Sequence, residues 1–247
     1  MIFLAACAGP ASSPKTLTVF AASSTLNAFN EIGKAFEAAN PGVAVVFNFD
    51  GSQSLRTQLE QGAEADVFAS ANQSEMDALA TQSLISNSQI FLSNELIVIL
   101  PNGNPANVQT LSDLARPGLS LVLAAEDVPA GNYARQALDN LEASLGPGFK
   151  DQVLANLVSE ENNVKQVVAK IQLGEADAGI VYNSDAVATP NLQTLAIPAE
   201  FNVTARYPIA VMKNAPSRAL AEAFVAYVLS PDGQATLKKW GFTPVTP

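Results

Sequence analysis

The chain has 247 residues, 48% of them hydrophobic and 15% charged, with a formal net charge of −10. That size and balance suit one large packed domain or two compact lobes, and 13 lysines and arginines in all leave no basic stripe for nucleic acid or an anionic membrane surface. Histidine is absent and cysteine occurs once, which removes the commonest general base and metal ligand and excludes an internal disulfide.

The N-terminal "MIFLAACAGPASSP" resembles the tail of a bacterial lipoprotein signal, cut before Cys7. A short polar tether follows it. The chain is therefore expected to be exported and lipid-anchored through Cys7, with residues 1–14 as signal remnant and tether. "TLTVFAA" reads as a strand, and Leu26, Phe29, Ile32 and Phe36 follow at helical spacing until "NPG" at 40–42 stops the helix. "VAVVFNF" alternates Val43, Val45, Phe47 and Phe49 on one face. Leu55 and Leu59 mark a short helix ended by Gly62, "ADVFAS" a strand, and Met76 with Leu79 the next helix.

"IFLSNELIVILPNG" is one longer β-run, well short of the ~20 apolar residues of a membrane span. Then come the strand "LSLVLAA", helices at "YARQALDNLEASLG" and "VKQVVAKIQLG", and the strands "DAGIVY" and "RYPIAVMK". Leu220, Phe224, Val225 and Val228 form a last helical stripe, stopped by Pro231. This alternation predicts an α/β fold; no internal repeat stands out.

Several strands run into small or hydroxyl residues that open a helix: "AASST" at 21–25, "DGSQS" at 50–54, "ASANQS" at 69–74 and "VPAGNY" at 128–133. Helix N-termini offer unpaired N–H groups and partial positive charge. One such junction is a cap; several around one cleft make an anion cradle.

Five stretches carry a family likeness: "TVFAASSTLNAF", "FDGSQSLRTQLEQGAEADVFASAN", "VPAGNYARQAL", "NNVKQVVAKIQLGEADAGIVYNSDA" and "YPIAVMK". With them the chain resembles the periplasmic molybdate-binding proteins of bacterial ABC importers, along nearly its whole mature length. The resemblance implies an α/β, two-lobed periplasmic binding protein fold (type II) with the ligand in the cleft between lobes. Residues 15–97 and 206–247 would form lobe I, and residues 98–205 lobe II. It implies an oxyanion held by the hydroxyls of Ser24 and Ser52, the main-chain N–H groups of Ala130 and Val164, and the Tyr182 phenol, with the Ala71 backbone contributing. The ligand would be molybdate or its near-isostere tungstate, with no cofactor, no catalytic residue and no direct metal-ion ligand. The expected partner is an ABC transporter permease, and the expected state a monomer.

Two positions depart from the family pattern. Asp50 puts a carboxylate two residues before Ser52 and is expected to turn outward and cap a turn. Asn162 and Asn163 stand where an acidic residue is expected before Val164, a change a backbone donor tolerates. Taken alone, Ser24 reads as a helix N-cap, Ser52 as a turn serine and Tyr182 as a core residue with its hydroxyl at the rim. The rival readings are another tetrahedral oxyanion such as sulfate, a serine hydrolase using Ser24 or Ser52, and an interaction module without a ligand. Lack of histidine and of a G-x-S-x-G elbow weighs against the hydrolase. A ferric-iron binder would bring adjacent tyrosines, whereas Tyr133, Tyr182, Tyr207 and Tyr227 are isolated in sequence.

Overall fold

The computed structural model describes residues 15–245, so Cys7 and the tether lie outside the described residues. The chain opens with β1 (Lys15–Ala22), a 3₁₀ turn (Ser23–Thr25), α1 (Leu26–Ala39), β2 (Val43–Asp50), α2 (Ser52–Glu60), β3 (Val67–Ala69), α3 (Gln73–Thr81) and β4 (Ile85–Asn94). It continues through β5 (Leu96–Leu100), β6 (Leu121–Ala124), α4 (Pro129–Leu145), α5 (Phe149–Leu154), β7 (Leu157–Glu161), α6 (Val164–Leu173), β8 (Ala178–Tyr182), α7 (Asn183–Val187) and β9 (Gln193–Ala196). It closes with β10 (Ala205–Met212), α8 (Arg218–Leu229), α9 (Pro231–Lys239) and β11 (Thr243–Pro244).

Two mixed sheets result, ordered β11-β4-β10-β3-β1-β2 and β7-β6-β8-β5-β9. In the first, β1 runs parallel to β2 and β3, and β10 antiparallel to β3 and β4. In the second, β6 runs parallel to β7 and β8, and β5 antiparallel to β8 and β9. The long β-run of the sequence is thus two strands in different sheets, broken at Glu95, whose N–H donates to Asn94 Oδ1. Leu96 and Ile97 already pair with β8, and Ala205 already pairs with β4, so both crossings between sheets come slightly earlier in the chain than the expected bounds of residues 98–205.

Helix α1 buries Phe29, Ile32 and Phe36, at the expected spacing, and its two phenylalanines meet Phe224 of α8 edge-on at 6.0 and 5.4 Å. Burying each such side chain contributes ~1.5–3 kcal/mol. Pro231 does not merely stop the last helix. It opens α9 at a first-turn position, and Ser230 caps that helix by accepting the Gly233 N–H, because proline has no N–H for a first turn to leave unpaired. Among the described residues no helix is long and apolar enough to cross a membrane.

A local repeat, not apparent from the sequence, sets the start of one strand in each sheet. "GAEAD" and "GEAD" both follow a helix and precede a strand. Asp66 Oδ2 accepts the Thr18 N–H at 2.8 Å while its own N–H donates to Thr18 O at 2.8 Å. Asp177 does the same with Ser120, again at 2.8 Å both ways. Each carboxylate pins a strand to its parallel neighbour. These parts of the family-like stretches therefore serve the fold.

Candidate oxyanion site

Where the carboxyl ends of β1, β3, β6 and β8 face one another, the two lobes enclose a small cavity of about 10 Å³. That is about the room one water centre needs. Its wall includes Ser24, Ser52, Ala71, Ala130, Val164 and Tyr182. All six expected site residues therefore meet in one place, each 4% exposed or less.

Ser52 opens α2, and its Oγ accepts the Ala71 N–H at 3.0 Å. This corrects the expectation for Ala71. Its amide is engaged by Ser52 and does not face a ligand free; instead it leaves the Ser52 proton as the group to offer the cavity. Ser24 is not the helix cap that the residue taken alone suggests. It lies inside the 3₁₀ turn, makes no side-chain cap, and holds Tyr207 Oη at 2.9 Å.

Ala130 and Val164 stand in the first turns of α4 and α6, where N–H groups have no acceptor within the helix. Pro129 takes the first-turn position of α4. Gly131 lets that turn lie against β6, since a Cβ there would sit 2.0 Å from Ala125 O and 2.2 Å from Ala124 O. Asn163 caps α6 by accepting the Gln166 N–H.

Tyr182 ends β8, but its hydroxyl is not at the rim: it is buried and finds no hydrogen-bond partner. Burial, more than any neighbour, pushes this phenol well above its ordinary range, so it stays a proton donor. Burial likewise raises Tyr207, whose ring crosses that of Tyr182 at 5.7 Å. The two tyrosines, isolated in sequence, are thus adjacent in space. Among the described residues no group of three His, Cys, Asp or Glu gathers beside them to hold a metal.

Asp50 does not turn outward. It lines the cavity, and its Oδ1 accepts both the Gly51 N–H at 2.8 Å and, across the cleft, Asn163 Nδ2 at 2.9 Å. The two departures from the family pattern are one pairing: an acid at 163 would repel Asp50, whereas the amide donates to it. Gln53 Nε2 makes a second crossing to Asn162 O at 3.0 Å. Behind the wall, Asp185 is fully buried and its carboxyl is raised by burial; Lys165 Nζ at 2.8 Å opposes that shift and balances its charge. No lysine or arginine lines the cavity, so its donors are neutral.

The contacts that Tyr207, Asn163 and Gln53 make at the site escaped the sequence reading. After the exposed Arg206, Tyr207 opens the apolar stretch of its strand, and that one phenol before apolar residues was the available signal.

A cleft closed between two α/β lobes over convergent neutral donors is the design of a solute-binding protein. The chain belongs to the family of bacterial extracellular solute-binding proteins, whose description matches residues 17–243, and within it to the molybdate-binding proteins. It is 40% identical to the molybdate-binding protein ModA of Mycobacterium tuberculosis H37Rv over 237 residues, covering 95% of this chain and 87% of that protein. It is 35% identical to the Escherichia coli K12 protein of the same name over 236 residues, covering 92% and 88%. The Azotobacter vinelandii periplasmic molybdate-binding protein shares the fold, with a TM-score of 0.81 at 24% identity over 94% of this chain and 99% of that one.

Proposed function

We propose that the chain captures molybdate, and tungstate equally as a near-isostere, outside the cytoplasm and hands it to an ABC importer. The observation that carries this reading is the buried, unpartnered Tyr182 hydroxyl beside Ser24, Ser52 and two open helix starts. Buried polar groups are nearly always satisfied, and a tetrahedral dianion satisfies all of these at once. Desolvating a dianion is costly unless a full shell of donors replaces water, and helix N-termini add positive potential without a formal charge.

In this reading the two sheets are lobes that close on the ligand, hinged near Glu95 and between Ala196 and Ala205, and the permease reads the closed shape. The protein acts as a monomer without cofactor or catalytic step, anchored through Cys7; the oxyanion is cargo.

The test is a melting-temperature panel with molybdate, tungstate, sulfate and phosphate. Ligand at ~100 times its Kd adds about 2.7 kcal/mol, which in a chain of this size is a rise of roughly 5–11 °C. Molybdate and tungstate are expected to give it, and sulfate much less at equal concentration because a smaller anion cannot reach every donor of a rigid shell. A sulfate shift equal to that of molybdate overturns the assignment.

A further inference from the structure

The two serines of the first lobe differ in what stands behind them. Ser52 receives a proton from Ala71 N–H, so its own proton goes to the cavity. Ser24 Oγ lies 2.9 Å from Tyr207 Oη, and either oxygen has the geometry to donate. If Ser24 donates to Tyr207, it shows the cavity only lone pairs. If Tyr207 donates to Ser24, the serine proton is free for an anion.

The surroundings of Tyr207 decide between these. Its ring is fully buried against Phe91, Tyr182 and Phe242, which fixes where the hydroxyl points. The hydrogen bond that hydroxyl makes is the one to Ser24 Oγ. A buried phenol that only accepted from Ser24 would leave its own proton unpaired, which is costly, and a phenol is the stronger donor of the two hydroxyls. Tyr207 therefore donates and Ser24 Oγ accepts.

We infer that Tyr207 is a positioning residue of the site: by donating to Ser24 Oγ it fixes Ser24 as a donor toward the cavity. With its proton aimed at the cavity, Ser24 serves a fully deprotonated dianion better than a protonated oxyanion such as hydrogen phosphate, which needs an acceptor there. The inference rests on the oxyanion reading above and adds a source of its selectivity.

Calorimetry with molybdate and with phosphate on the wild type, Tyr207→Phe, Ser24→Ala, Ser52→Ala and the two double variants tests it. Tyr207→Phe removes one oxygen and keeps the packed ring. It is expected to weaken molybdate about tenfold, the size of a lost hydrogen bond to a charged group. Combined with Ser24→Ala it should cost no more than Ser24→Ala alone, because it acts through that serine. Combined with Ser52→Ala the losses should multiply, which also separates the effect from general damage. The preference for molybdate over phosphate should narrow in Tyr207→Phe and hold in Ser52→Ala.

Wild-type affinity in Tyr207→Phe, losses that multiply with Ser24→Ala, or an unchanged molybdate-to-phosphate ratio overturns the inference. Should Tyr207→Phe not fold, Tyr207→Met replaces it, with a loss in the same direction expected and no loss counting against. A wild-type chain that binds none of the panel removes the oxyanion reading and this inference together. Wild-type binding with an indifferent Tyr207→Phe removes the inference alone.

Discussion

The first lobe runs β1–α1–β2–α2–β3 with β1 between β2 and β3; the second runs β6–α4–β7–α6–β8 with β6 between β7 and β8. Laid over one another, these units pair Ser24 with Ala130 and Ser52 with Val164. Both lobes bring two helix starts to the cleft, but the first puts a hydroxyl on each and the second leaves the bare amide. The difference concerns rigidity. A backbone N–H is aimed by its helix, whereas a hydroxyl proton rotates and needs a second donor behind it. Each serine has one, from Tyr207 or from Ala71. The second lobe needs its main chain in the right place, and Gly131 keeps it there.

The sharpest way to break this comparison uses one glycine from each lobe. Gly131→Ala drives a Cβ into the β6 backbone, so the second lobe should lose about 3 kcal/mol of stability. Its melting temperature should fall by roughly 6–12 °C, and molybdate binding should go with it. Gly51→Ala is the milder counterpart. Its Cβ meets the movable Gln53 amide and, 2.6 Å away, Asn162 O of the opposite lobe. Here the ligand-free melting temperature should stay put while affinity drops about tenfold, ~1.4 kcal/mol, because only closure is obstructed. Thermal melts with and without molybdate separate the two; equal ligand-free destabilisation would show that Gly51 serves its own lobe.

Next in size is the contact between lobes. Asn163→Asp places a second carboxylate 2.9 Å from Asp50 Oδ1 while retaining an oxygen to cap α6. Like charges across an interface are strongly unfavourable, so affinity should fall by about fivefold to tenfold, ~1–1.4 kcal/mol. Adding Asp50→Asn should restore most of it. If the double variant binds no better than Asn163→Asp, the pairing of 50 with 163 does not govern closure.

The smallest expected effect is that of pH. Both lobes rely on neutral donors, and burial raises Tyr182 and Tyr207 above the ordinary tyrosine range. Both phenols therefore stay protonated throughout the neutral range, and molybdate affinity should change less than about twofold between about pH 6 and 9, below the tyrosine reference of ~10. For stability the sign is the usual one for raised groups. The tyrosine contribution is complete below a pH of ~10 and falls above it, as the unfolded chain ionises first. Affinity that climbs steeply toward acid would instead overturn the neutral-donor reading.

Much of this was readable from residue order alone. The spacing of Phe29, Ile32 and Phe36, the proline at the entrance to α4 and the small residues at the strand ends are local signals, because helix periodicity and first-turn chemistry act within a few residues. The matched blocks carried all six wall positions to one cavity. Folding decided the rest. That "IFLSNELIVILPNG" divides between two sheets depends on which neighbours each half finds. That Ala71 backs Ser52, that Tyr207 stands behind Ser24, and that Asp50 meets Asn163 are contacts between residues 19, 183 and 113 positions apart. No local pattern announces such pairs. A hydroxyl's role as donor or acceptor is set by its other partner, and only the tertiary structure brings that partner to it.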